Sequence, residues 1–176
     1  MYLSKKTYVR NWDHTKNENK FTISIQKGGK EYKDINHSKI TYIEEEVMYW
    51  RKANQIHNWF VQNVQDGIDK CQMSYVTGEN LLELLDVCRT VRDLIGKSQK
   101  VSNIGNNWSG ENVIINTYDC EKEVMELLPT SQGFFFGSYE IDDYYLRNVN
   151  DTIECIEGLV NEEGKIEGEF YYQASW

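Results

Sequence analysis

The sequence predicts a single α+β domain: an antiparallel sheet from N-terminal strands plus residues 133–137 and 169–176, packed by three main helices at 44–66, 78–95 and 139–160. Three observations predict it. Phe21-Thr22-Ile23-Ser24-Ile25 alternates apolar and polar residues at period two, as a half-buried strand does. Three later stretches repeat apolar residues at steps of three and four, the helical spacing. The chain then ends on Phe170-Tyr171-Tyr172, an aromatic run suited to a docked strand.

Taken in order, Tyr2, Tyr8 and Val9 begin a strand region, and Lys27-Gly28-Gly29-Lys30 is the turn after the alternating run. Ile40-Thr41-Tyr42-Ile43 is β-branched and aromatic and reads as another strand. Glu44-Glu45-Glu46 then places negative charge where a helix dipole favours it, and Tyr49, Ala53, Ile56, Phe60 and Val64 form the stripe of the first helix. In the second, Thr77 is the N-cap and Leu81, Leu84, Leu85, Cys88, Val91 and Ile95 face the core. Lys97–Gly110, rich in Ser, Asn and Gly, reads as a loop, and Val113-Ile114-Ile115 as a short strand. Cys120–Leu128 is a short helix stopped by Pro129. Phe134-Phe135-Phe136 is a compact strand, and Ile141, Tyr145, Val149, Ile153, Ile156 and Val160 stripe the third main helix.

Charge divides the 176 residues in two. Residues 1–40 carry nine Lys or Arg against four Asp or Glu, a balance of +5; residues 41–176 carry ten against twenty-four, a balance of −14. A basic, β-rich arm (1–40) thus precedes an acidic, helical body (41–176) within one domain. No apolar run reaches the roughly 20 residues of a membrane span, and Met1–Arg10 has no apolar signal-peptide core, so a cytoplasmic protein is expected. The four cysteines lie far apart without a CxxC pair, and Cys88 and Cys155 fall on apolar helical stripes as reduced thiols.

Motifs for chemistry are sparse. There is no HExxH, GxSxG or phosphate-loop pattern. His57 lies among the apolar residues of the first helix, which suits a structural role, while His14 and His37 sit in polar loops. Asp142 and Asp143, with Asp66 and Asp69, are the acids a divalent ion would use, but helix-dipole matching explains the first pair more simply. No enzyme activity, metal or cofactor is therefore expected.

Two binding surfaces are expected instead. Glu140, Asp142, Asp143, Asp151, Glu154 and Glu157 run along the third main helix, and carboxylates so spaced can imitate the phosphates of DNA toward a basic protein groove. Lys5, Lys6, Arg10, Lys16, Lys20, Lys27, Lys30 and Lys33 are the candidate phosphate contacts of the basic arm. Only one of these is Arg, so such contacts would be weakly sequence-specific and salt-sensitive. The solvated helix face and the edge-guarding lysine are the plainer readings of the same residues.

Two blocks carry a resemblance: Tyr42-Ile43-Glu44-Glu45-Glu46-Val47-Met48-Tyr49-Trp50-Arg51-Lys52-Ala53-Asn54-Gln55-Ile56-His57-Asn58-Trp59-Phe60-Val61, and Leu127-Leu128-Pro129-Thr130 through Gly133-Phe134-Phe135-Phe136-Gly137-Ser138. With the closing Phe170-Tyr171-Tyr172 and Ser175-Trp176, the chain resembles small proteins from phages and mobile elements of Firmicutes, and is similar to anti-CRISPR proteins that block a type II CRISPR effector nuclease. The resemblance implies a non-enzymatic counter-defence inhibitor in the bacterial cytoplasm that binds a host CRISPR effector nuclease or another defence protein, or DNA, and obstructs target engagement. It assigns no contact residues. The aromatic surplus supports an alternative, a protein that sequesters or hydrolyses a defence nucleotide, with Trp50, Trp59, Trp108 and Tyr144 as stacking groups.

Overall fold

The N-terminal strand sits in the middle of the main sheet. In the computed structural model, which describes residues 1–106, 109–131 and 139–175, β1 (Tyr2–Tyr8) pairs antiparallel with β4 (Tyr42–Tyr49) on one side and with β8 (Glu169–Gln173) on the other. Strand β5 (Ser74–Val76) completes the order β4-β1-β8-β5. The 33 residues between β1 and β4 form an excursion that includes a small hairpin, β2 (Gln26–Lys27) with β3 (Lys30–Glu31). Its turn is the expected Gly28-Gly29, both at positive φ (61° and 76°), a conformation glycine adopts without steric cost.

Expected boundaries are corrected at two places. The strand expected at Phe21–Ile25 does not form: only Gln26–Lys27 pair, and with Phe21 exposed the alternating run has no core face to pack on. The helix expected over 44–66 starts only at Asn54; its first six residues are strand. Tyr42–Tyr49 alternates about the sheet instead, and its three glutamates lie opposite β1, with Glu45 across from Lys5 and Glu44 across from Lys6. The Lys6–Glu44 ion pair, at 4.0 Å, and the β-branched and aromatic neighbours outweigh the dipole argument here. A register shift between Leu3 and Ser4 leaves Val47 without a partner, and the left-handed Lys52 (φ 58°) turns the chain into helix α1 (Asn54–Asn63).

The second helix, α2 (Gly78–Lys97), begins as expected at Thr77, whose hydroxyl accepts from the Asn80 N–H while the Asn80 side chain accepts from the Thr77 N–H, each at 3.1 Å. The loop expected over 97–110 is also corrected: β6 (Lys100–Asn106) pairs antiparallel with β7 (Asn112–Tyr118). Only Val101 and Ile104 are large and apolar in β6, three apart, so no period-two signal marks it; its long-range partner makes it a strand. Helix α3 (Glu121–Leu127) follows, then α4 (Asp143–Glu157), capped by the Asp142 carboxylate accepting the Tyr145 N–H at 2.8 Å. The strand expected at 133–137 lies outside the described residues.

The helices pack on one face of the main sheet. Leu3, Val76, Phe170 and Tyr172 point inward to meet Ile56, Phe60, Leu81, Leu84, Val149 and Ile153. Tyr172 stacks flat on Phe60, with centroids 4.0 Å apart, and Trp50 closes on both rings. Fully burying one such side chain contributes roughly 1.5–3 kcal/mol. The Trp50 indole N–H donates to the Thr152 hydroxyl at 2.8 Å and so fixes α4 to the sheet. All four cysteines are free thiols, Cys88 and Cys120 buried and Cys71 and Cys155 half-buried. No helix among the described residues is long and apolar enough to cross a membrane.

Candidate interaction surface

Strand alternation sends every second side chain to the opposite, solvent-facing side of the sheet. Tyr2, Ser4, Lys6 and Tyr8 come from β1; Tyr42, Glu44, Glu46 and Tyr49 stand opposite them on β4; Glu169, Tyr171 and Gln173 come from β8; and Tyr75 comes from β5. Six tyrosines thus share one face. Tyr8, Tyr42, Tyr49 and Tyr75 are exposed by 55, 42, 57 and 52%.

Lys6 organises the centre. Its ammonium lies 4.4 Å from the Tyr171 ring centroid, 5.1 Å from that of Tyr42 and 4.0 Å from the Glu44 carboxylate. A cation held between two aromatic faces and a carboxylate is fixed in place and partly neutralised. Ser4 donates to Glu44 at 2.8 Å, Tyr2 donates to Gln173 at 2.8 Å, and Tyr171 donates to Glu169 at 3.3 Å. Tyr8 packs against Tyr42 and Tyr75 against Tyr171, with centroids 5.8 and 5.7 Å apart. The face is pre-organised and acidic, with three carboxylates to one ammonium. Large rigid phenols with short hydroxyls suit macromolecular contact, because they supply area at low entropic cost.

The expected basic arm is divided. Lys5 and Lys6 belong to β1 and point to opposite faces, Lys5 reaching the Phe170 ring at 5.6 Å. Arg10, Lys16, Lys20, Lys27, Lys30 and Lys33 lie in the excursion between β1 and β4. There Arg10 stacks 4.2 Å over Trp12, Lys27 sits 5.5 Å over Tyr32, and Lys20 donates to Asn17 at 3.0 Å. The Asn11 side chain clamps the excursion shut by accepting from the Phe21 N–H (2.8 Å) and donating to its carbonyl (2.7 Å).

The acids expected along the third main helix have separate tasks. Asp142 caps α4. Asp143 accepts from Asn116 and from the Tyr118 hydroxyl (2.5 Å), with Lys100 at 3.8 Å, and so ties the β6–β7 ribbon to the start of α4. The Tyr118 hydrogen bond leads the effects that hold the Asp143 carboxyl below its ordinary value; desolvation and Asp143 together push the Tyr118 phenol up to about 12. Glu157 accepts from Arg89 at 2.8 Å, and Glu140 precedes the helix. Asp151 and Glu154 remain exposed on α4 beside Val47 and Met48 of β4.

His57 is buried in a polar relay: one ring nitrogen lies 2.7 Å from the Tyr172 hydroxyl and the other 2.9 Å from Asp69. Tyr172 is fully buried and Asp69 half-buried, so the relay braces α1 against β8 from within the core. Burial holds the imidazole below its ordinary value, with Asp69 pulling the other way. Of the aromatic groups expected to stack on a base, Trp50 and Trp59 are in the core, Tyr144 donates to the Arg51 carbonyl, and Trp108 lies outside the described residues. Among the described residues, no three His, Cys, Asp or Glu side chains gather as metal ligands.

The blocks that carry the resemblance meet in space. Asn58 donates to the Pro129 carbonyl at 3.3 Å, the Ser131 N–H donates to the Asn54 side chain at 3.3 Å, and Tyr145 donates to the Leu128 carbonyl at 2.7 Å, while Trp50 and Phe60 pack on Tyr172. The tyrosine face itself went unread in the sequence, although Tyr2, Ser4, Lys6 and Tyr8 do fall at period two. Comparison with known proteins finds no matching family model, no similar curated protein and no similar solved structure.

Proposed function

We propose that this chain is a non-enzymatic counter-defence protein that docks the open face of its main sheet on a basic, nucleic-acid-binding surface of a host nuclease and blocks target engagement. The observation that carries this reading is the surface itself: six tyrosines share a face with a lysine partly neutralised by Glu44, and Glu46 and Glu169 supply excess negative charge. Carboxylates on a rigid frame compete for the cationic groups that bind phosphate, and tyrosines add desolvated contact area. The resemblance to anti-CRISPR proteins makes a type II CRISPR effector nuclease the partner to test first.

A second reading, direct DNA contact, draws on the excursion, where residues 9–41 hold seven Lys or Arg against four Asp or Glu. Its affinity would fall steeply with salt. Both readings meet in one experiment. Purified effector with its guide cleaves a target DNA while the chain is titrated in, and complex formation is followed at low ionic strength. Inhibition at near-equal amounts, with the chain held on the effector, supports docking on the enzyme. Inhibition that tracks binding of the chain to free DNA supports the second reading, and absence of inhibition and of binding rejects both.

A further inference from the structure

We propose that the free edge of β4, with the groove between it and α4, takes up an extended basic segment of a partner protein as an added strand. The inference rests on the protein-binding reading above but concerns the edge of the sheet instead of its face.

Strand β4 is the last strand on its side of the sheet among the described residues. It is eight residues long, about 26 Å at ~3.3 Å per residue, and Tyr42–Glu46 are exposed without interruption. One side is paired with β1. On the other, the Cys155 thiol lies 3.7 Å from the Val47 carbonyl, and a thiol is a weak donor that an incoming N–H displaces. An open edge of this length is a template for another chain.

Charge selects which chain. A second copy paired antiparallel about the same point would set glutamates against glutamates, which is unfavourable. The partner that β4 already has shows the preferred match, Lys5 opposite Glu45 and Lys6 opposite Glu44. The open side repeats that demand. Alongside it runs a groove of about 570 Å³, lined by Val47 and Met48 of β4 and by Asp151, Glu154, Cys155 and Leu159 on the α4 side. A strand lying beside a helix in such a groove gains main-chain hydrogen bonds on one side and side-chain pockets on the other. A segment alternating basic and apolar residues fits: its basic side chains, on the solvent-facing side, meet Glu44 and Glu46, and its apolar ones, on the helix side, meet Met48 and Leu159, while the exposed Asp151 and Glu154 add negative charge beside the groove.

The test uses the whole chain and a short fluorescent peptide of alternating lysine and valine. Fluorescence anisotropy at low salt should show binding. The same peptide N-methylated on the backbone nitrogens of one edge keeps its charge and should bind about tenfold or more weaker. The D151K/E154K variant, altered only on the exposed side of α4, should lose binding similarly, and β4 amides should exchange more slowly when the unmodified peptide is bound. Equal affinity for the methylated peptide, or unchanged β4 exchange, overturns the inference. So does a dimer in sedimentation whose β4 amides are slow without peptide, which assigns the edge to a second copy. Because no nuclease enters this test, its failure leaves the docking of the sheet face standing, and a chain that takes the peptide but ignores the nuclease fails only the earlier reading.

Discussion

His57 shows how a titratable side chain can be structural. Its ring is closed in by Tyr172, Asp69 and the surrounding aromatic core, and desolvation of the charged form outweighs the pull of Asp69. Its folded pKa therefore lies below its unfolded value, near 6.5. The linkage follows from that sign: stability is fully present above the unfolded value and is lost as pH falls through 6.5 toward the folded one, where the unfolded chain binds the extra proton. The urea midpoint should drop between about pH 7.5 and about pH 5.5, and the His57 ring signals in a proton NMR titration should stay neutral below 6.5. A ring that titrates above 6.5 would mean that the Asp69 pair governs instead. Removing one partner has a separate cost: Tyr172→Phe keeps the stack on Phe60 but leaves a ring nitrogen of His57 without its hydroxyl, which should lower stability by about 1–3 kcal/mol in denaturant unfolding.

At the scale of elements, the β6–β7 ribbon is held to the body through Asp143. Its outer part is bare: Ile104 and Ile114 face each other across the ribbon and are exposed by 80 and 72%. Asp143→Asn weakens the contacts with Tyr118 and Lys100 without touching the core. Amide exchange in β6 and β7 should speed up severalfold while α2 and β8 keep their protection; unchanged ribbon exchange would show that Asp143 does not anchor it. The same elements show what the sequence could express. The stripe of α2 and its Thr77 cap were legible because helical periodicity and capping are local. Strand β6 was not, since its strand character comes from β7 and not from its own residues. Glu44–Glu46 satisfy a helix start and a strand equally well by local rules, and only pairing with the distant β1, where Lys6 meets Glu44, decides between them. Gly78 is a further case. A Cβ there would stand 2.1 Å from the Ile166 carbonyl oxygen, a constraint set by packing and invisible in sequence.

For the molecule as a whole, the division of charge seen along the chain is partly dissolved by folding. Lys5 and Lys6 are absorbed into an acidic sheet, so the positive field retreats to the excursion between β1 and β4. The negative field is distributed over the sheet face and the exposed side of α4 instead of forming one phosphate-like ladder. The candidate surface was legible only in part: Asp151 and Glu154, expected on a partner-binding acidic face, lie exposed on α4, whereas the tyrosine face depends on four strands from both ends of the chain coming together. Long-range strand order, which no local pattern encodes, makes that surface.

The central claim is that this face, and not the basic excursion, engages the partner. The most direct test compares the affinity of three proteins for a purified type II effector–guide complex: the unaltered chain, a Tyr8→Ala/Tyr75→Ala variant of the exposed face, and a Lys16→Ala/Lys20→Ala/Lys30→Ala variant of the excursion. The account predicts a loss of about tenfold or more for the tyrosine variant and little change for the lysine variant. Unchanged affinity in the tyrosine variant, with the loss appearing in the lysine variant, would contradict it.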